Sequence, residues 1–112
     1  MRVVPAAFAI GVASVVLMGC GSPVDRHGVE RAQLAITAQC GGKGPTDVGI
    51  LKRAVATLER NYRASPTRRF RFVGGQAYTT MRDEVHTATD ALLICEPQLA
   101  SALARATGQP LQ

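Results

Sequence analysis

With 112 residues and a formal charge of +5, the chain is long enough for one small basic domain with a modest core. It has no Trp, and only 4% of its residues are aromatic. That is a thin supply for a ligand pocket or a stacking platform.

The first element is apolar. Met1 and Arg2 are followed by "VVPAAFAIGVASVVLM", residues 3–18, which carries no charge. It is shorter than the roughly 20 apolar residues that a spanning helix needs. A basic start, a short apolar core and a small residue at the end have the form of a secretory signal. The end, Leu17-Met18-Gly19-Cys20, resembles the lipobox of bacterial lipoprotein precursors, with an aliphatic residue at −3, a small one at −1 and then the cysteine. Met18 at −2 departs from the usual small residue. The resemblance covers residues 1–20 alone. It implies that residues 1–19 are a cleaved signal peptide and that Cys20 receives the lipid. Residues 20–22 are then anchor and tether, 23–108 a domain and 109–112 a tail. It also implies a place in the bacterial cell envelope, lipid-anchored on the extracytoplasmic face of a membrane. Two competing readings stay open: an uncleaved anchor, since no charge follows Arg2 until Asp25, and plain secretion.

Without residues 1–19 the chain keeps 12 basic against 8 acidic residues, a formal +4. An exported compartment permits disulfides. With Cys20 acylated, Cys40–Cys95 is the one intramolecular pairing that remains and is expected, the alternative being two independent buried thiols.

Ser22-Pro23 has the form of a helix start, an N-cap followed by proline at the first helical position. Val29, Ala32, Ile36 and Cys40 recur at helical spacing, Gly28 weakens the first turns, and Gly41-Gly42 are expected to close the helix in a left-handed conformation. Thr46 is the next N-cap candidate, with Asp47 in the first turn. Val48, Leu51, Val55, Leu58 and Tyr62 then step 3-4-3-4 as a core seam. Glu59 and Arg63 form an i,i+4 pair, and Pro66 ends the helix. "TRRFRFVGG", residues 67–75, breaks the pattern. Tyr78, Met81, Val85, Ala88, Leu92 and Cys95 mark a third helix, with Thr80 and Asp83 as a capping box. Pro97 opens a short fourth helix striped by Leu99, Leu103 and Ala106, which Gly108 and Pro110 end. The expected fold is all-α: an up-down-up bundle of three long helices plus a short C-terminal one, with one disulfide. In that topology Cys40 and Cys95 end at the same pole.

Little catalytic chemistry stands out. His86 lies at helical spacing from Asp83 and Asp90, which could orient it as a base or make half of a metal site. No matching Glu or His is placed on another helix, so an exposed polar face is the simpler reading. His27 carries no partner signal. "CGGKGPTD", residues 40–47, precedes a helix start where anions can bind. It lacks the phosphate-loop pattern, and a tight interhelical loop explains it. No cofactor or metal is expected. The remaining feature is Arg68, Arg69 and Arg71 interleaved with Phe70 and Phe72. Its functional reading is contact with anionic lipid, an envelope polymer or an acidic protein; its structural one is a connector pinned by the two phenylalanines. The leading expectation is a non-enzymatic binding or scaffolding module at the membrane surface, with no nucleic-acid partner. The alternatives are a metal-dependent or hydrolase-type enzyme using His86 with Asp83 and Asp90, and a sensor or immunity-type protein for a specific partner.

Overall fold

The computed structural model describes residues 23–42 and 44–110, and the expected signal peptide and lipidation at Cys20 fall outside them. The described chain is helical: α1 (Arg26–Gly41), α2 (Val48–Ala64), α3 (Met81–Cys95) and α4 (Pro97–Thr107). Among the described residues no helix is long and apolar enough to cross a membrane.

Helices α1, α2 and α3 each start where a side-chain oxygen meets the free backbone N–H groups of the first turn. For α1 that cap is Asp25, whose Oδ1 accepts from the Gly28 N–H at 3.0 Å. The expected start at Ser22-Pro23 is therefore displaced by three residues, and Pro23 and Val24 are not helical. Two contacts favour the later start. Gly28 leaves room for the cap, because a Cβ there would run into the Asp25 carboxylate. The Asp25 N–H, in turn, donates to Asn61 Oδ1 on α2 at 2.8 Å. At α2 the cap is Asp47 rather than Thr46; its Oδ1 accepts from the Ile50 N–H. Thr80 caps α3 as expected, accepting from Asp83, and Asp83 and Glu84 complement the helix dipole in its first turn. Helix α4 opens on Pro97 at its first turn.

The ends differ in kind. Gly108 closes α4 with φ +70°, the left-handed conformation that favours glycine. Gly42, expected to do the same for α1, is extended (φ −79°, ψ 165°). Its reason for being glycine is space: a Cβ would sit 2.9 Å from the Ala38 carbonyl oxygen.

Helices α2 and α3 pack on each other, and each also packs on α1 and on α4. Ile36, Leu51, Leu58, Met81, Leu92 and Leu103 are fully buried at the centre. The expected seams largely hold. The differences sit at their edges: Val48 and Tyr78 are exposed, and α4 buries Ala100, Leu103, Ala104 and Thr107 instead of Ala106. Tyr78 precedes the Thr80 cap and so belongs to the connector rather than to α3. Cys40 and Cys95, at the C-terminal ends of α1 and α3, form a disulfide that joins residues 55 apart in sequence.

Candidate functional site

The connector between α2 and α3 carries the one non-helical pairing among the described residues. Phe70 and Thr79 exchange two backbone hydrogen bonds, of 2.9 and 2.8 Å, as an isolated antiparallel bridge. Between them Phe72–Gly75 makes a tight turn, closed by the Gly75 N–H on the Phe72 carbonyl at 2.8 Å. Gly74 takes φ +82° at its third position, as a type II turn requires.

An extended backbone sends alternate side chains to opposite faces. Phe70 is buried and Phe72 packs partly against the core, their rings meeting edge to face at 5.4 Å. Arg69 and Arg71 face the other way. Residue 78 lies opposite residue 71 across the bridge, so Tyr78 stands beside them. The Arg69 and Arg71 guanidinium carbons lie 5.1 and 5.6 Å from its ring centroid, within cation–π range.

Polar bonds fix the connector from below. Thr79 Oγ1 donates to Glu84 Oε2 at 2.8 Å, and Gln33 Nε2 on α1 donates to Glu84 Oε1 at 3.0 Å and to the Glu84 carbonyl at 2.8 Å. The Arg82 N–H donates to the Pro66 carbonyl, which ties the end of α2 to the start of α3. From the first turn of α1, Arg26 Nη1 donates to the Arg71 carbonyl at 3.1 Å.

Together these elements bound a groove of about 330 Å³. Arg26, Arg68, Arg69 and Arg71 line it with Tyr78, and Pro23 and Val24 complete one wall. All four arginines are exposed, and none is ion-paired with a carboxylate among the described residues. Guanidinium groups remain charged at any ordinary pH. Four of them around one groove without an acid repel one another, an arrangement that fold stability does not ask for. The three arginines singled out from the sequence are thus brought together, and the structure adds Arg26 and Tyr78. Helical spacing hid both, Arg26 by placing it on a distant helix and Tyr78 by assigning it to the core seam.

The other sequence candidates fare differently. His86 Nε2 lies 3.5 Å from Asp90 Oδ2, both side chains being more than half exposed. Asp83 is exposed in the first turn of α3, where its N–H serves the Thr80 cap. No group of three or more His, Cys, Asp or Glu residues suited to a metal ion occurs among the described residues. In the 40–47 loop the Asp47 carboxylate occupies the start of α2, so the anion position there is filled by the chain itself. Other hollows lie elsewhere among the described residues. One of about 450 Å³ at the end of α4 has Arg105 as its single charged side chain. Another, about 320 Å³ between α1 and α2, has Arg31, Arg53 and Arg60 at its edge and Ala32 and Ala54 in its lining, and it includes the Asp25 carboxylate.

Comparison with protein families, curated proteins and solved structures gives no match to the chain.

Proposed function

We propose that the chain is the precursor of a small envelope lipoprotein, anchored through Cys20, whose helical domain is a non-enzymatic module held against an anionic membrane surface. The observation that carries this is the composition of the 330 Å³ groove: Pro23 and Val24 share it with Arg26, Arg68, Arg69 and Arg71. Pro23 follows Cys20 by three positions. At roughly 3.5 Å per extended residue, a lipid on Cys20 keeps the groove within about 10 Å of the headgroups. An arginine that reaches the surface contributes about 1 kcal/mol of attraction, fading over a Debye length of about 8 Å, so the reach of the tether is comparable to the range of the field.

The up-down-up arrangement of α1, α2 and α3 belongs to the same proposal. The disulfide links the C-terminal ends of α1 and α3. The start of α1 bonds to Asn61 near the end of α2 and to Arg71 in the α2–α3 connector. Both sets of contacts suit a bundle with the groove at one pole and the disulfide at the other.

Hydrogen exchange on the full chain, reconstituted in phosphatidylcholine vesicles with and without phosphatidylglycerol, tests the contact. Residues 23–31 and 66–80 should exchange more slowly on the anionic vesicles. High salt, or replacing Arg68, Arg69 and Arg71 by Gln, should remove the difference. Identical exchange on both vesicles would refute membrane contact through this face. The intact mass of protein processed in a bacterial host reports the anchor separately: acyl chains on an N-terminal Cys20 are expected, and cleavage elsewhere would refute it.

A further inference from the structure

The groove has more structure than a charged patch needs. Diffuse attraction to an anionic surface requires only exposed cations, as Arg63 and Arg105 are elsewhere on the domain. Here the cations are oriented. Tyr78 holds the Arg69 and Arg71 guanidinium groups within 5.6 Å of its ring. Stacking on a ring face leaves the planar N–H donors at the guanidinium edges free to point into the groove. Arg26 is fixed by its bond to the Arg71 carbonyl and keeps its remaining donors. The bridge at Phe70 and the Glu84 contacts hold the backbone beneath. Val24 and Phe70 supply an apolar side to the same hollow.

We infer that this groove is a binding site for a phosphate monoester, with Arg69 and Arg71 as its principal donors and Arg26 and Arg68 at its margins. Fixed guanidinium forks match tetrahedral oxyanions, to which they donate paired, charge-assisted hydrogen bonds. A monoester carries close to two negative charges near neutral pH and presents three terminal oxygens, more than a phosphodiester or a carboxylate offers. At about 330 Å³ the hollow lies at the small end of ligand sites, a size for a headgroup rather than a large cofactor. The ester can come from solution or from a lipid; the apolar wall and the proximity to Cys20 suit the lipid. This lipid source rests on the membrane reading above, whereas the phosphate chemistry does not.

The chain carries its own probe. It has two tyrosines and no tryptophan, so Tyr62→Phe leaves Tyr78 as the only tyrosine. The full-length Tyr62→Phe protein, reconstituted in phosphatidylcholine vesicles, is titrated with glycerol phosphate at constant ionic strength while Tyr78 fluorescence is followed. Parallel samples replace part of the lipid by phosphatidic acid, or by phosphatidylglycerol at equal surface charge. The expected result is a saturable change with glycerol phosphate, a larger change with phosphatidic acid than with phosphatidylglycerol, and apparent affinity about 10-fold or more weaker in Arg69→Gln/Arg71→Gln. A response to soluble ester alone assigns the groove to phosphate from solution, and a response to phosphatidic acid alone assigns it to lipid; either supports the site. Equal responses to both anionic lipids, with none to glycerol phosphate beyond that of chloride, would overturn it. Hydrogen exchange on phosphatidylglycerol vesicles decides membrane contact independently of these titrations, so the two readings fail separately. Circular dichroism of the double variant should be unchanged, since both arginines are exposed.

Discussion

Reducing the Cys40–Cys95 disulfide should remove a large share of the stability of the domain. The bond closes a loop of 55 residues. Opening it returns conformational freedom to the unfolded chain, and the loop-entropy relation puts the loss at about 4 kcal/mol at room temperature. A domain of this size is stable by roughly 5–10 kcal/mol in total. The reduced protein should therefore remain folded in water but with little margin. Urea unfolding followed by helical circular dichroism measures the difference. With a slope near 1–2 kcal/mol per molar urea, the midpoint should fall by roughly 2–4 M on reduction. Helical content without denaturant should hardly change, because α1 and α3 keep Val29, Ile36, Val85 and Leu92 in the shared core. A midpoint shift below about 0.5 M would refute the argument, since it would mean that the unfolded chain gains little freedom when the link opens.

Asn61→Ala should destabilise by about 1–3 kcal/mol, well above a typical surface change, because it leaves the Asp25 N–H without its acceptor and removes the bond from Asn61 Nδ2 to the Thr57 carbonyl. Thermal unfolding would show this as a Tm lower by several degrees. His86→Ala should leave urea stability within about 0.5 kcal/mol, because its single 3.5 Å contact with Asp90 is exposed; a larger loss would give His86 a structural role that its surroundings do not provide.

The helices were legible in the sequence because their apolar residues repeat with the helical period. Val29, Ala32 and Ile36, or Met81, Val85, Ala88 and Leu92, each fall on one buried stripe. The starts were less legible, because several residues near each could accept the first-turn N–H groups. Ser22, Thr46 and Asp25 all have cap chemistry, and the choice at α1 depends on Asn61, which lies 36 residues away from Asp25. Asn61 itself was hidden, since a polar residue inside a seam carries no periodic signal; only tertiary contact explains its burial. The candidate site was half legible. Arg68, Arg69 and Arg71 stand out as a run, whereas Tyr78 fitted the period of the following helix, and only the bridge between Phe70 and Thr79 brings it out beside them.

The two ends of α1 are secured in different ways, and this gives the domain a mechanical asymmetry. Force arriving along the chain from the side of Pro23 meets only non-covalent contacts: Val24 against the core, the 2.8 Å Asp25–Asn61 hydrogen bond and the one from Arg26 to the Arg71 carbonyl. If these contacts yield, Val29, Ala32 and Ile36 are drawn out of the core, so the release of α1 opens the domain as a whole. Extension from this side stops at Cys40, where a covalent bond hands the load to α3. The released segment, residues 23–40, can stretch to on the order of 60 Å. A protein loaded from that end would thus behave as an extensible leash with a fixed stop.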